Sequence, residues 1–316
     1  MGGSYIRGPY ATEPARLEVL LLAMQGVGKP GVHQVSIEQG MPRGERIPSV
    51  RSVYRGDAHG KPKQIIWKPL LHEAILNPPV SWYASFMWAP VEDQFNEYHY
   101  PVEGASEIHM IWSDEGCFTT CWNCGNKMIE AFRSPKIEFI LNQHPWLEND
   151  CMYADLLLPV NTKLEEDDIS IGYSAQFDLI FHEDKCIESI GESKSDYEIV
   201  GEIARKLGKY EEFTEGKSIE EWIKLGFEQS GVADMTTWED LNKKGYYIVP
   251  TAKDWEKEPA GMLNFYNDPE ANPLHTKSGK IEFYCQWLAE HFPDDEERPP
   301  VPRYISEGVT HQESPS

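Results

Sequence analysis

The stretch from Glu107 to Pro159 constrains the fold more than any other part of the chain. It reads as a strand over Glu107 to Trp112, a cysteine-bearing loop, and a helix through Met128 and Ile129. A second strand follows over Ile137 to Leu141, and then the short apolar run ADLLLP that ends at Pro159. Short apolar runs separated by one helix-length segment are the pattern of strands buried on both faces, joined by a crossover. The expectation is an α/β fold built on a parallel sheet.

Helices dominate what comes after. Ser195 with Glu198 three residues on forms a capping-box signature, followed by apolar Ile199, Ile203 and Leu207 and the stop residue Gly208. Ser218 with Glu221 repeats it before Trp222, Ile223 and Phe227, and Thr237 with Asp240 opens a third helix closed by Gly245. Ahead of the sheet, Leu17, Leu20, Leu21 and Met24 recur at helical spacing until Gly26, which predicts one buried amphipathic helix. From Gln39 to about Pro101 the text is rich in Pro, Gly and aromatic residues and reads as long irregular loops over a core. Beyond the charged, Pro-punctuated stretch from Thr251 to Pro273, SGKIEFY from Ser278 reads as a strand and Trp287 with Leu288 as a helix. No internal repeat or low-complexity tract occurs.

Charge narrows the partners. With 52 acidic against 29 basic side chains in 316 residues, the net charge of -23 repels nucleic acid and anionic membranes and favours solubility or a basic partner. No apolar run approaches the roughly 20 residues of a membrane span, and no basic segment with an apolar signal core opens the chain. Six cysteines are too few for a dense disulfide framework, so a reducing, cytoplasmic compartment is the expectation. Both ends, MGGSYIRGPY and EGVTHQESPS, read as cuts within a longer polypeptide.

Among motifs, Cys117, Cys121 and Cys124 form C-x3-C-x2-C just after a predicted strand, the spacing by which radical S-adenosylmethionine enzymes hold an iron–sulfur cluster. The alternative is three partly buried small residues, since no Gly-rich methionine-binding segment follows. The ten histidines show no HExxH or HxH spacing, so no metal ligand is assigned. GxSxG, Walker and GxGxxG motifs do not occur, which leaves acyl transfer, P-loop chemistry and dinucleotide hydride transfer without their usual marks. The acidic run Glu165 to Asp168 reads either as a cation site or, more simply, as a solvated turn after a strand.

Several segments, taken in order, resemble the catalytic subunit of the molybdopterin oxidoreductase (dimethyl sulfoxide reductase) family. They are ARLEVLLLAMQGVGKPG from Ala15, IHMIWSDEG from Ile108, IEFILNQHPWLENDCMYADLLLPVNTKLE from Ile137, and SGKIEF from Ser278. EYHYP (Glu97 to Pro101), KCIESIGESKSDYEI (Lys185 to Ile199) and WEDLNKKGYY most resemble its transhydroxylase branch. The resemblance implies an internal piece, incomplete at both ends, of a multidomain α/β subunit. That subunit would carry molybdenum, or tungsten, on two molybdopterin guanine dinucleotides, with a small aromatic or phenolic substrate and an iron–sulfur electron-transfer subunit as partner. Residues 1–105 would close one cofactor-cradling domain, 106–295 would form most of the next, and 296–316 would lead toward a further domain.

In open α/β sheets ligands lie beyond the carboxyl ends of the strands. The resemblance therefore places Ser113, Asp114, Gly116, Asn126, Gln143, His144, Glu148 and Asn149 at the cofactor, with Asp155 and Glu165 of the ADLLLP…E signature structural or in contact with guanosine. Where the wider family has Thr-Glu-Thr before ADLLLP, this chain has Glu148, Asn149 and Asp150. Tyr173 and Tyr54 resemble substrate-side tyrosines, whose phenol hydroxyls can orient a polyphenol and exchange protons with it, or else are packing residues. Gly2 or Gly3 stands where the branch has a substrate-side tryptophan, and Arg7 follows in the matching arginine position. The metal ligand and the principal acid and base would precede Met1, so the 316 residues alone are expected to be inactive. The rivals to this reading are the iron–sulfur protein and a truncated remnant that only binds a partner.

Overall fold

The structure, a computed structural model, describes residues 10, 12–32, 64–84, 96–114, 116–171, 179–250 and 261–305. In chain order the elements are α1 (Thr12–Met24), α2 (Leu71–Leu76), β1 (Val80–Ala84), β2 (Asn96–Tyr100), β3 (Met110–Asp114), α3 (Phe118–Cys121), α4 (Gly125–Phe132), β4 (Phe139–His144) and β5 (Leu156–Pro159). Then come β6 (Asp168–Ile171), β7 (Leu179–Glu183), α5 (Asp196–Lys206), α6 (Tyr210–Thr214), α7 (Ile219–Gln229), α8 (Trp238–Lys244), β8 (Tyr246–Ile248), α9 (Leu263–Asn267) and α10 (Gln286–His291).

The predicted parallel sheet is present as β3–β4–β5, both pairings parallel, with Ser113 opposite Asn142 and Gln143 opposite Leu158. Its core side is built by Ile111 and Ile140 against Ile75 of α2 and Met128, Ala131 and Phe132 of α4. α4 works because its apolar residues fall three and four apart on one face. Toward their carboxyl ends β3 runs two residues and β4 three residues further than the apolar pattern suggested. The polar residues Ser113, Asp114, Asn142 and Gln143 continue the ladder there, and a hydrophobicity-based boundary stops short of them.

A second sheet, β6–β7–β8, is antiparallel. Ile169 and Ile180 pack on Ile223 and Phe227 of α7 and Leu241 of α8. The predicted helix starts hold: Ser195 and Ser218 each accept from the backbone N–H three residues on while Glu198 and Glu221 reach back, and Thr237 accepts from Asp240. Gly245 ends α8 in the left-handed region at φ 80°.

Three expectations change. The helix α1 forms, but it is not buried: Val19, Leu21 and Met24 are exposed, and the fully buried side chain is Glu13. Glu13 accepts from Arg303 N–H at 3.0 Å and from Arg16 at 2.7 Å, and Arg16 donates onward to the carbonyls of Pro299 and Pro300. Apolar spacing locates a stripe on a helix; it does not supply what packs there. Second, residues 64–84 and 96–101 within the expected loop region carry α2 and the hairpin β1–β2, with Val80 opposite Tyr100. Trp82 stacks on Tyr98 at 5.7 Å, and Tyr83 meets Trp287, His291 and Phe292. The prolines that suggested loops, Pro78, Pro79 and Pro101, stand just outside the strands, where a missing N–H costs no ladder bond. Third, SGKIEFY is not a strand. Thr276 Oγ1 donates to the Lys280 carbonyl and Glu282 accepts from Ser278 N–H, so local side-chain bonds turn the backbone there.

Candidate functional site

The carboxyl edge of β3–β4–β5 gathers most of the predicted residues. β3 delivers Ser113 and Asp114 and then Gly116; β4 delivers Gln143 and His144. Beyond β5, Val160 bridges Lys194 in parallel, which sets the N-terminus of α5 beside the same edge. There Gln143, only 3% exposed, links two elements: its Oε1 accepts from Trp112 Nε1 at 2.5 Å, and its Nε2 donates to Asp196 Oδ1 at 2.6 Å. A buried amide bonded to a carboxylate contributes roughly 1.5–3 kcal/mol, so this pair fixes strand to helix. Asp196 was missing from the sequence-based set. The capping box located it at the first position of α5, but nothing in the sequence says which strand edge that helix meets.

Asp150, 2% exposed, is the second residue the sequence left unassigned. Its carboxylate accepts from Phe118 N–H and from Thr119 N–H and Oγ1, so it holds the start of α3 against the edge. Gly116 lies in the same contact. A Cβ there would stand 2.8 Å from Ser113 Oγ and 3.6 Å from Asp150 Cβ, so a larger residue would push the Ser113 hydroxyl aside.

The other predicted residues do not join the Gln143–Asp196 or Gly116–Asp150 contacts. Asn126 is exposed in the first turn of α4, and Glu148 and Asn149 are exposed where a 3-10 turn begins. His144 is half-buried, its Nδ1 accepting from Trp146 N–H at 3.1 Å. Asp155 lies at the opposite, amino end of the sheet, where its carboxylate accepts from Ile140 N–H at 2.8 Å. Glu165 is buried with its oxygens filled by Thr162 N–H at 2.8 Å and Oγ1–H at 2.7 Å, Ile190 N–H at 2.6 Å and Ser193 Oγ at 3.3 Å. Those donors, Thr162 N–H foremost, pull its pKa down to about 2. Tyr54 and Tyr173 lie outside the described residues, as do Gly2, Gly3 and Arg7.

The acidic run after β5 is a structured turn and not simply a solvated one. Glu165 pins residues 162 to 193, Asp167 accepts from Lys185 N–H, Asp168 pairs with Lys163, and burial pushes the pKa of Glu166 up. Beside it, a cavity of 1330 Å³ opens between α5–α8 and β6–β7, with Asn161, Asp196, Trp222 and Trp238 in its wall. Among the described residues no three His, Cys, Asp or Glu side chains converge as metal ligands, Cys117, Cys121 and Cys124 included. No helix among them is long and apolar enough to cross a membrane.

The family model described as molybdopterin oxidoreductase matches residues 83–206, which contain the whole parallel sheet. The large subunit of pyrogallol hydroxytransferase from Pelobacter acidigallici is 28% identical over 374 aligned residues, covering 99% of this chain and 42% of the relative. Dimethyl sulfoxide reductase DmsA of Escherichia coli is 31% identical over 216 residues, covering 65% of this chain and 26% of the relative. The chain thus spans less than half the length of these relatives. Among solved structures, acetylene hydratase from Pelobacter acetylenicus aligns with 57% of this chain and 22% of its own at 19% identity and a TM-score of 0.37, too loose to carry an argument.

Proposed function

With residues 83–206 forming a molybdopterin oxidoreductase segment, we propose that the carboxyl edge of β3–β4–β5 cradles the nucleoside end of a molybdopterin cofactor in its guanine dinucleotide form. The intact subunit would hold molybdenum, or tungsten, on two such groups and transfer hydroxyl on a small phenolic substrate, the class named by the hydroxytransferase it resembles. Such a metal–pterin group supplies the oxygen-transfer chemistry when bound; the residues here bind and orient.

The observation that carries this reading is the Gln143–Asp196 pair at the carboxyl edge of the sheet, with Ser113 and Gly116 packed together at the end of the neighbouring strand. The donor set fits a nucleoside. The uncommitted oxygen of Asp196 can accept an N–H of a guanine edge, Ser113 suits a ribose hydroxyl, and the backbone at Gly116 allows close approach. The same set contains no Lys or Arg, so it offers little to neutralise a pyrophosphate; backbone N–H groups at the edge would have to receive that charge. Asp114, His144, Glu148 and Asn149 are assigned to the rim of this edge, while Glu165 holds the backbone of residues 162–193 and Asp155 the amino end of the sheet. Tyr54 and Tyr173 are assigned to the substrate side. An iron–sulfur subunit as partner, a cytoplasmic setting, and activity only in the intact subunit complete the proposal. So does its domain division: residues 1–105 close one domain, 106–295 form most of the next, and 296–316 are a linker.

The test is metal and nucleotide analysis of the protein purified anaerobically with its partners, wild type beside Asp196→Ala and Gln143→Ala. The reading expects molybdenum or tungsten with about two guanine nucleotides per metal, and guanine retention reduced about tenfold in the Asp196 variant, the loss of a charged hydrogen bond. Iron as the only metal, with no guanine nucleotide released, would sink it.

A further inference from the structure

Three cysteines within eight residues follow β3, and the cofactor reading uses none of them. Two are arranged as a dithiol. Cys117 caps α3 and Cys121 is its last residue, one turn on, with Cys121 N–H donating to the Cys117 carbonyl at 2.8 Å. Residues so spaced have Cβ atoms about 5–6 Å apart, and a disulfide needs about 4 Å. The closure is small, and α3 can make it: the helix ends at Cys121, and Trp122 is already extended at φ −111°, ψ 163°. Cys121 is exposed and Cys117 half-buried.

We propose that Cys117 and Cys121 form a reversible dithiol–disulfide pair, with Cys121 the attacking thiol and Cys117 the resolving one. The two roles are separated by their surroundings. Cys117 is pushed up to about 11, first by its hydrogen bond to Cys121 and then by burial, so it keeps its proton and donates it toward the Cys121 sulfur. Exposure lets Cys121 meet an oxidant, and the Lys68 ammonium, 5.5 Å from the Trp122 ring and 6.0 Å from the Phe118 ring, puts positive charge beside the turn. The oxidant is a low-molecular-weight disulfide. The Cys121 thiolate attacks one of its sulfurs, releasing one small thiol and leaving a mixed disulfide on the protein. Cys117 then loses its proton to solvent and attacks the Cys121 sulfur, releasing the second small thiol. The protein gives up two hydrogens and two electrons, which the small disulfide gains. Because the turn begins one residue after Gly116, closing the bond tightens the backbone at the rim of the crevice. Formation of the pair does not depend on what the crevice holds.

The experiment equilibrates the full chain in glutathione buffers of graded ratio, quenches in acid, alkylates free thiols and measures intact mass. Chymotrypsin then separates the three positions, since Phe118 and Trp122 lie between them. Wild type and Cys124→Ser should carry two fewer alkyl groups after oxidation, reversibly, with the Cys117 peptide joined to the Cys121 peptide. Cys121→Ser and Cys117→Ser should not, near-ultraviolet circular dichroism confirming that each variant folds when reduced. A bond joining Cys121 to Cys124, glutathione adducts with no internal bond, or loss of the bond in Cys124→Ser would each overturn the proposal.

Discussion

Removing the Asp150 carboxylate should destabilise the protein by an amount that depends on what replaces it, in the order Asn, then Ala. Asp150 is almost wholly buried and accepts three hydrogen bonds, two of them from the backbone N–H groups that open α3. In Asp150→Ala both N–H groups lose their acceptor, at about 1–3 kcal/mol for each group that water does not reach. Loss of a helix-capping side chain alone costs about 0.5–2 kcal/mol. Since these overlap, about 2–4 kcal/mol is expected for Ala. Asp150→Asn keeps the shape and one acceptor oxygen but turns an NH2 toward a donor, for about 1–2 kcal/mol on the same scale. Thr119→Val removes one donor and should cost about 1 kcal/mol. Combined with Asp150→Ala it should add almost nothing, because the two share one interaction. Urea unfolding at neutral pH measures all four, with the slope checked for constancy. If Ala and Asn both unfold within 0.5 kcal/mol of wild type, or if Thr119→Val and Asp150→Ala are additive, Asp150 does not hold the loop as described.

Glu165, held near 2 against an ordinary 4.5, contributes stability that is complete above about pH 4.5 and is lost as pH falls toward 2, so acid unfolding of Glu165→Gln should lack that portion of the wild-type slope. Glu13→Ala should release residues 299–303 from α1; limited trypsin digestion after Arg303 should quicken severalfold, and an unchanged rate would count against the Glu13–Arg16–Arg303 tie. Phe132→Ala, in the core between α4 and the parallel sheet, should cost about 3–5 kcal/mol in the same urea assay. Gly28→Ala should cost at least about 1–3 kcal/mol, because φ is +99° and a Cβ would lie 2.3 Å from the Met262 carbonyl oxygen.

What could be read in the sequence was whatever is decided locally. Capping boxes at Ser195 and Ser218 depend on residues three apart, and both helices begin where predicted. The parallel sheet was legible because β4, buried along nearly its whole length, leaves an apolar run. The antiparallel strands β6 and β7 were not, since each is only four or five residues and their pairing is set by α7 and α8 packing behind them. The hairpin β1–β2 was hidden by its flanking prolines. In the site, Ser113, Asp114, Gly116, Gln143 and His144 followed from their place after predicted strands. Asp196 and Asp150 did not, because each meets its partner across 53 and 31 or 32 residues of sequence.

Those two aspartates explain how a crevice can be built from exposed loops and still be rigid. The edge residues sit on strand ends, where the ladder holds the backbone but leaves side chains free to point outward. Rigidity then requires that each loop be tied through a buried polar group: Asp150 ties the turn after β3, and buried Gln143 ties β4 to α5 through Asp196. Both ties use carboxylates, which accept without donating, so they order neighbouring N–H groups and leave no donor of their own to satisfy. Asp196 differs from Asp150 in one respect that matters for binding. Asp150 has both oxygens occupied by Phe118 and Thr119, whereas among the described residues Asp196 uses only Oδ1, toward Gln143. A carboxylate with one oxygen committed and one available is oriented before a ligand arrives, so the ordering entropy of that side chain is already spent. That asymmetry, with Asp196 exposed where Asp150 is buried, is why Asp196 is the residue proposed to read the ligand.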